Sequence, residues 1–290
     1  CLTERVNVRD CVLCVPLNIA DRGENRSGFP SNHGVSQATS CRETRELLRI
    51  VMLYKTDALV LRTADYGEND KMVTLFSLQY GKISAALKGV KKAGAKLKFA
   101  AQPFCFAEFV LAKKGEHNTV TSASLTDGFY PLREDIGKFY AAASLAGVCD
   151  AVLYGGIVNE ELFLYAVNTL REMCAGDEAE ALISFLLKVL ELSGYMISFD
   201  ACAGCGAPLS EGLRFDMESG CFYCADCGRG AGASLSTLNV LRKCAGKPFD
   251  GALVGKDGKL RALKLLSAFF SAKTDTRVKA LAEYITLYGA

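Results

Sequence analysis

The 290-residue sequence has no tryptophan, two histidines and six prolines. Each shortage excludes something. Without tryptophan, any stacking on flat ligands rests on tyrosine and phenylalanine, which leaves electrostatics as the larger contribution. Neither His33 nor His117 stands in the H-x-E element that a zinc deaminase requires. No apolar run approaches the roughly 20 residues of a membrane span; among the longest is Ala181 to Leu187. Gly89 and Gly94 have the spacing of a phosphate-binding P-loop, but Ala95 stands where its lysine must be, and no other G-x4-G-K-[ST] occurs. Nucleotide hydrolysis and membrane insertion are both excluded.

What remains is a globular composition, 50% hydrophobic and 23% charged, long enough for two or three small domains. The net charge of +2 is unevenly spread. Residues 52–131 carry 11 basic against 7 acidic side chains, residues 132–230 carry 6 against 15, and residues 231–290 carry 10 against 4. Such segregation suits a polyanion at the basic parts and a basic partner at the acidic one. The 13 cysteines are odd in number. Cys105, Cys149 and Cys174 lie in apolar segments as small hydrophobes, whereas five crowd between 202 and 227. That pattern fits a reducing compartment, the cytosol, and one metal site.

Residues 1–51 show no sustained period and have a loop-like centre, Asp21 to Pro30. At Met52 the character changes at once. We expect Met52 to be the physiological start and 1–51 to be a disordered, non-native upstream extension.

Five strand-like runs follow: Thr56–Thr63, Met72–Leu78, Lys82–Lys88, Phe104–Ala112 and Thr119–Leu125. Five short strands within 52–131 match an OB-fold barrel, a count shared by SH3-like barrels. Between Lys82 and Lys98 stand six lysines (82, 88, 91, 92, 96, 98) and no acidic residue. With Gly89 and Gly94 to keep it mobile, this stretch suits a phosphate backbone, which demands neutralisation but little geometry. Tyr54, Tyr66 and Tyr80, at strand ends or turns, are candidates for base stacking; Phe76, Phe106 and Phe109 read as core.

From residue 132 the period turns helical, over Ile136–Leu153, Glu160–Cys174 and Glu178–Leu192. Asn159 and Asp177 can cap the second and third helices, and Gly194 can stop the third. The third is apolar nearly all round, so it should be buried, and Leu187→Asp should leave the domain insoluble. Next comes Cys202-Ala-Gly-Cys205, eighteen residues, and Cys224-Ala-Asp-Cys227. This C-x2-C-x18-C-x2-C spacing is that of a closed four-thiolate, structural zinc site within residues 200–230, with Leu213–Asp216 and Cys221–Tyr223 as a short hairpin. Cys221-Phe-Tyr-Cys224 has the same internal spacing, but Gly228 favours the 224/227 pair. Leu235–Cys244, Leu260–Phe270 and Arg277–Leu287 read as further helices. Lys243, Lys247, Lys256, Lys259, Lys264 and Lys279 make this part a candidate second contact for DNA or for an acidic peptide.

These segments, in their order, resemble the bacterial RecO family of recombination mediators. The likeness runs through Lys55–Arg62, Asp65-Tyr-Gly-Glu-Asn-Asp70, Val73–Phe76, Tyr80–Ser84, Lys88-Gly-Val-Lys91, Gln102-Pro-Phe104, Pro131-Leu-Arg-Glu-Asp135 and both cysteine pairs. It covers residues 52 to about 285. The resemblance implies an α+β chain: an N-terminal five-stranded OB-fold β-barrel (52–131), then an α-helical domain (132–290) with an embedded four-cysteine zinc finger. It further implies a nucleoid-associated, non-enzymatic cytosolic protein that binds single- and double-stranded DNA and anneals complementary strands. Its implied partners are RecR and the C-terminal tail of single-strand binding protein, so that RecA can be loaded on coated DNA. Arg62, Lys88, Lys91 and Lys92 match basic positions near that family's DNA face, and Lys96 and Lys98 extend them. Two other readings fit the residues: an RNA-binding OB/zinc protein of translation or transcription, and a thiol oxidoreductase using a CxxC pair.

Overall fold

A computed structural model describes residues 52–290; the proposed extension 1–51 lies outside them. Five strands open the described chain: β1 (Met52–Tyr66), β2 (Asp70–Ser77), β3 (Gly81–Leu87), β4 (Phe106–Lys114) and β5 (His117–Asp127). They close into a barrel of order β1-β2-β3-β5-β4 in which only β3 and β5 run parallel. This order is that of an OB-fold, the fold read from the sequence. β1 is nearly twice its expected length because it serves two neighbours. Its first half pairs with β4 (Met52 with Lys113 through Leu59 with Phe106), and its second with β2 (Ala58 with Ser77 through Tyr66 with Asp70).

Inward-facing Ala58, Val60, Val73, Leu75, Ala85, Leu87, Phe109 and Leu111 fill the barrel, as strand alternation requires. A bulge between Val60 and Arg62 breaks the alternation. Leu59, Leu61 and Phe76 join the core of the helical domain, whereas Arg62 emerges into solvent. A bulge commonly re-aims a side chain in this way.

The helical domain comprises a short α1 (Pro131–Glu134), then α2 (Ile136–Val152), α3 (Glu160–Ala175), α4 (Glu178–Leu192), α5 (Leu235–Cys244), α6 (Lys256–Thr274) and α7 (Lys279–Gly289). The expected caps are present: Asn159 accepts the Leu162 N–H at 3.0 Å, and Asp177 accepts the Glu180 N–H at 2.9 Å. Gly194, at φ +82°, ends α4. Its N–H meets the Glu191 carbonyl at 2.9 Å and the Tyr195 N–H meets that of Leu190 at 2.8 Å, a Schellman pair. α4 packs against α2, α3, α5 and α6, the central place expected for it. Its apolar surface is nonetheless wider than its buried face. Leu182, Phe185 and Leu186 are fully buried, but Leu187 is half-buried on the wall of a surface cavity. Leu187 thus packs at the margin of the helical core, not inside it as its expected burial would have required.

The barrel keeps its own interior, but one outer face of it packs into the helical core. Phe163 packs edge-on against Phe76 and Phe106, and Phe139 against Phe104, at 5.2–5.9 Å between centroids. Lys82 pairs with Asp150 of α2 at 2.7 Å. Gly81, at φ +67°, lies so close to the 154–158 loop that a β-carbon would stand 2.1 Å from the Ile157 carbonyl oxygen. Among the described residues, no helix is long and apolar enough to cross a membrane.

Candidate functional site

Between α4 and α5 the chain forms a small sheet of β6 (Arg214–Asp216), β7 (Cys221–Tyr223) and β8 (Ala231–Gly232), in the order β7-β6-β8. The expected hairpin is its β6–β7 pair. Two matching turns flank it. The Cys202 carbonyl accepts the Gly206 N–H at 2.8 Å, and the Cys224 carbonyl accepts the Gly228 N–H at 3.2 Å. Gly206 and Gly228 both take positive φ, +74° and +65°, a conformation that costs glycine nothing. Gly204 matters for another reason: a β-carbon there would sit 2.8 Å from the Cys227 sulfur.

These turns aim four sulfurs at one point. Cys202, Cys205, Cys224 and Cys227 have their Sγ atoms within 4.8 Å of one another, with Cys205 and Cys224 at 3.7 Å. Tetrahedral Zn–S bonds of about 2.3 Å place sulfurs roughly 3.8 Å apart, so the spacing fits a bound ion. The Cys224 N–H donates to the Cys202 sulfur at 3.2 Å and draws that thiol down to about 6. Cys227 is pushed up to about 12 by the sulfurs of Cys202, Cys205 and Cys224. Four thiolates repel one another, and a central cation relieves that repulsion. Cys221 stands apart on β7, its sulfur turned to the Ser219 carbonyl at 3.6 Å. The four-cysteine cluster can therefore hold a metal ion.

The second site is the connection between β3 and β4. Its start is tied to the β1–β2 turn: the Gly89 N–H meets Asp70 Oδ1 at 2.7 Å, and the Lys91 N–H meets the Asn69 carbonyl at 3.0 Å. Val90, Ala100 and Ala101 are buried in the barrel core. The lysines are thus displayed on an anchored loop, whereas glycine content alone suggested a mobile one. Asn69 and Asp70 hold the loop backbone and Asp65 the Lys91 side chain; the sequence marked their segment as a turn and as part of the family likeness, with no sign of this anchoring role.

The six lysines are not equivalent. Lys82 is consumed by Asp150, and Lys91 by Asp65 at 3.1 Å. Lys98 donates to the Ala93 carbonyl at 2.7 Å. Lys88, Lys92 and Lys96 are exposed, as is Arg62, and among the described residues no carboxylate pairs with them. Tyr66 and Tyr80 are exposed. Tyr54 is half-buried, its hydroxyl on Asn118 Oδ1 at 2.9 Å and its ring edge-on to Tyr80.

The C-terminal lysines read as a second basic surface are largely engaged within the fold. Lys243 and Lys259 hold Glu180 at 2.6 and 2.7 Å, Lys259 also holds Asp177 at 2.7 Å, and Lys247 and Lys279 pair with Asp200 and Glu283. Only Lys256, set over the Tyr288 ring, and Lys264 lack a carboxylate partner among the described residues.

Two family models match the chain in succession: recombination protein O N terminal over residues 52–129, and recombination protein O C terminal over residues 133–282. Among proteins it resembles is a DNA repair protein RecO from Myxococcus xanthus, 30% identical over 237 residues, covering 79% of this chain and 95% of that protein. One from Alkaliphilus metalliredigens is 35% identical over 192 residues, 66% of this chain and 78% of its own length. One from Desulforamulus reducens is 34% identical over 176 residues, 60% and 69% respectively.

Proposed function

This chain belongs to the recombination protein O family of DNA repair proteins, and on that premise we propose that it binds single- and double-stranded DNA through the barrel, anneals complementary strands and, with RecR, helps load RecA on DNA coated by single-strand binding protein. One observation carries the DNA-binding part. The loop bearing Lys88, Lys92 and Lys96 is bonded to the β1–β2 turn, the connection that OB-folds use, with strands 2 and 3, to grip oligonucleotides. Unpaired point charges there release counterions from a phosphate backbone without reading sequence. Arg62, on the same strand that leads into that turn, extends the basic surface, and Lys91 and Lys98 border it.

The protein acts through binding energy, in the cytosol and at the nucleoid, and is not an enzyme. The acidic stretch 132–230, 6 basic against 15 acidic side chains, supplies a contact for a protein partner. Zinc at Cys202, Cys205, Cys224 and Cys227 is structural, because four thiolates complete its shell and leave no position for substrate.

The test is annealing of complementary DNA strands coated with single-strand binding protein, comparing the parent with a Lys88/Lys92/Lys96 triple glutamate variant. The parent should anneal and the variant should not. An inactive parent on intact coated strands refutes the reading, and a strong preference for single-stranded RNA over DNA of the same sequence would replace it.

A further inference from the structure

Arg133 lies on α1, within the Pro131-Leu-Arg-Glu-Asp135 segment that links barrel to helices. Its guanidinium donates to two backbone carbonyls from distant parts of the chain. One is Gly128, just past β5; the other is Pro103, 2.7 Å away, just before β4 at the exit of the lysine loop. Each carbonyl immediately precedes a buried phenylalanine with positive φ, Phe104 at +66° and Phe129 at +46°. Among the described residues only Asp275 shares this conformation without being glycine. Left-handed backbone is costly for a residue with a β-carbon and persists where its surroundings over-determine it.

Phe104 is also where the lysine loop returns to the barrel. Its N–H donates to the Val60 carbonyl at 2.9 Å, and the Val60 N–H donates to the Cys105 carbonyl at 2.9 Å. Val60 is the residue at the bulge from which Arg62 emerges. A single guanidinium therefore braces both the rear of the lysine loop and the strand irregularity that displays Arg62. Both of its terminal nitrogens are engaged on carbonyls, and the Tyr130 ring lies 5.6 Å from its carbon.

We infer that Arg133 is a positioning residue of the polyanion site, which orders the lysine loop and Arg62 for phosphate without touching phosphate itself. The inference rests on the DNA-binding reading above. A lysine at 133 keeps the charge but is a single point donor, unable to bridge two carbonyls in one fixed plane.

The experiment titrates a labelled oligodeoxythymidylate over a series of salt concentrations into the full chain, into Arg133→Lys and into a Lys88/Lys92/Lys96 triple glutamine variant. Measurements are made below the unfolding temperature of each. Arg133→Lys should weaken binding about three- to tenfold through lost pre-organisation, with the salt slope unchanged. Parental affinity for Arg133→Lys overturns the inference, as does a slope lowered by about one, which marks a direct phosphate contact. If the triple variant binds like the parent, the lysine-loop reading itself has failed, an outcome distinct from either. Hydrogen exchange gives a second readout: the Phe104 and Cys105 amides should exchange faster than in the parent in Arg133→Lys, or in Arg133→Gln where the lysine variant does not fold, and unchanged exchange overturns the inference.

Discussion

Charge alone makes the six lysines of the β3–β4 connection equal, whereas their partners rank them, and the salt dependence of DNA binding reads that ranking. Lys88, Lys92 and Lys96 have neither a carboxylate nor a carbonyl partner among the described residues, while Lys91 is held 3.1 Å from Asp65 and Lys98 is tied to the Ala93 carbonyl. Each phosphate contact on a single strand contributes roughly 0.7 to the slope of log affinity against log salt. Replacing the three unpaired lysines with glutamine should thus flatten the slope by about two. Between 50 and 200 mM salt, a change of about 0.6 in log concentration, the parent should lose roughly 20-fold more affinity than the variant. Lys91→Gln should change the slope by less than about 0.3, because its charge already faces a carboxylate. Fluorescence anisotropy with a labelled oligodeoxythymidylate measures both. Equal slope changes for Lys91→Gln and Lys92→Gln would refute the ranking, and an unchanged slope in the triple variant would refute the loop as the DNA site.

Three further outcomes follow from the same geometry. Zinc quantification of the purified chain should give about one ion, lost in Cys202→Ser and retained in Cys221→Ser, because a closed site uses four ligands and Cys221 lies outside the cluster. Leu186→Asp should cost about 3–5 kcal/mol and leave the chain insoluble, while Leu187→Asp, on a cavity wall, should remain soluble; soluble fractions after expression distinguish them. Acid should loosen the contact between α4 and α6. Burial raises the Asp177 and Glu180 carboxyls, but the Lys259 ammonium outweighs it at Asp177, as Lys243 and Lys259 together do at Glu180, so both lie below their ordinary values. A depressed carboxyl contributes its full stability above its unfolded pKa of about 4 and loses it as pH falls through the folded value. Thermal unfolding temperature should therefore drop more steeply below pH 4 in the parent than in Lys259→Met, and parallel curves would contradict the linkage.

Local signals carried the order of elements in this protein. Hydrophobic alternation marked all five barrel strands, and side-chain caps set the starts of α3 and α4 to the residue, because a cap acts within one turn of the chain. The cysteine spacing likewise specified a four-sulfur cluster, since two tight turns bring each pair together without help from elsewhere. Tertiary structure decided what depends on residues far apart in sequence. β1 runs to 15 residues only because β2 and β4 both pair with it. Leu187 is as apolar as Leu186, and only the packing of neighbouring helices tells which side of α4 is covered. Lys91 and Lys92 are adjacent in sequence, yet Asp65, across the barrel's first turn, neutralises just one of them. Composition counts charges; the pairs they form, and so the charges left free at the surface, exist only once the chain has folded.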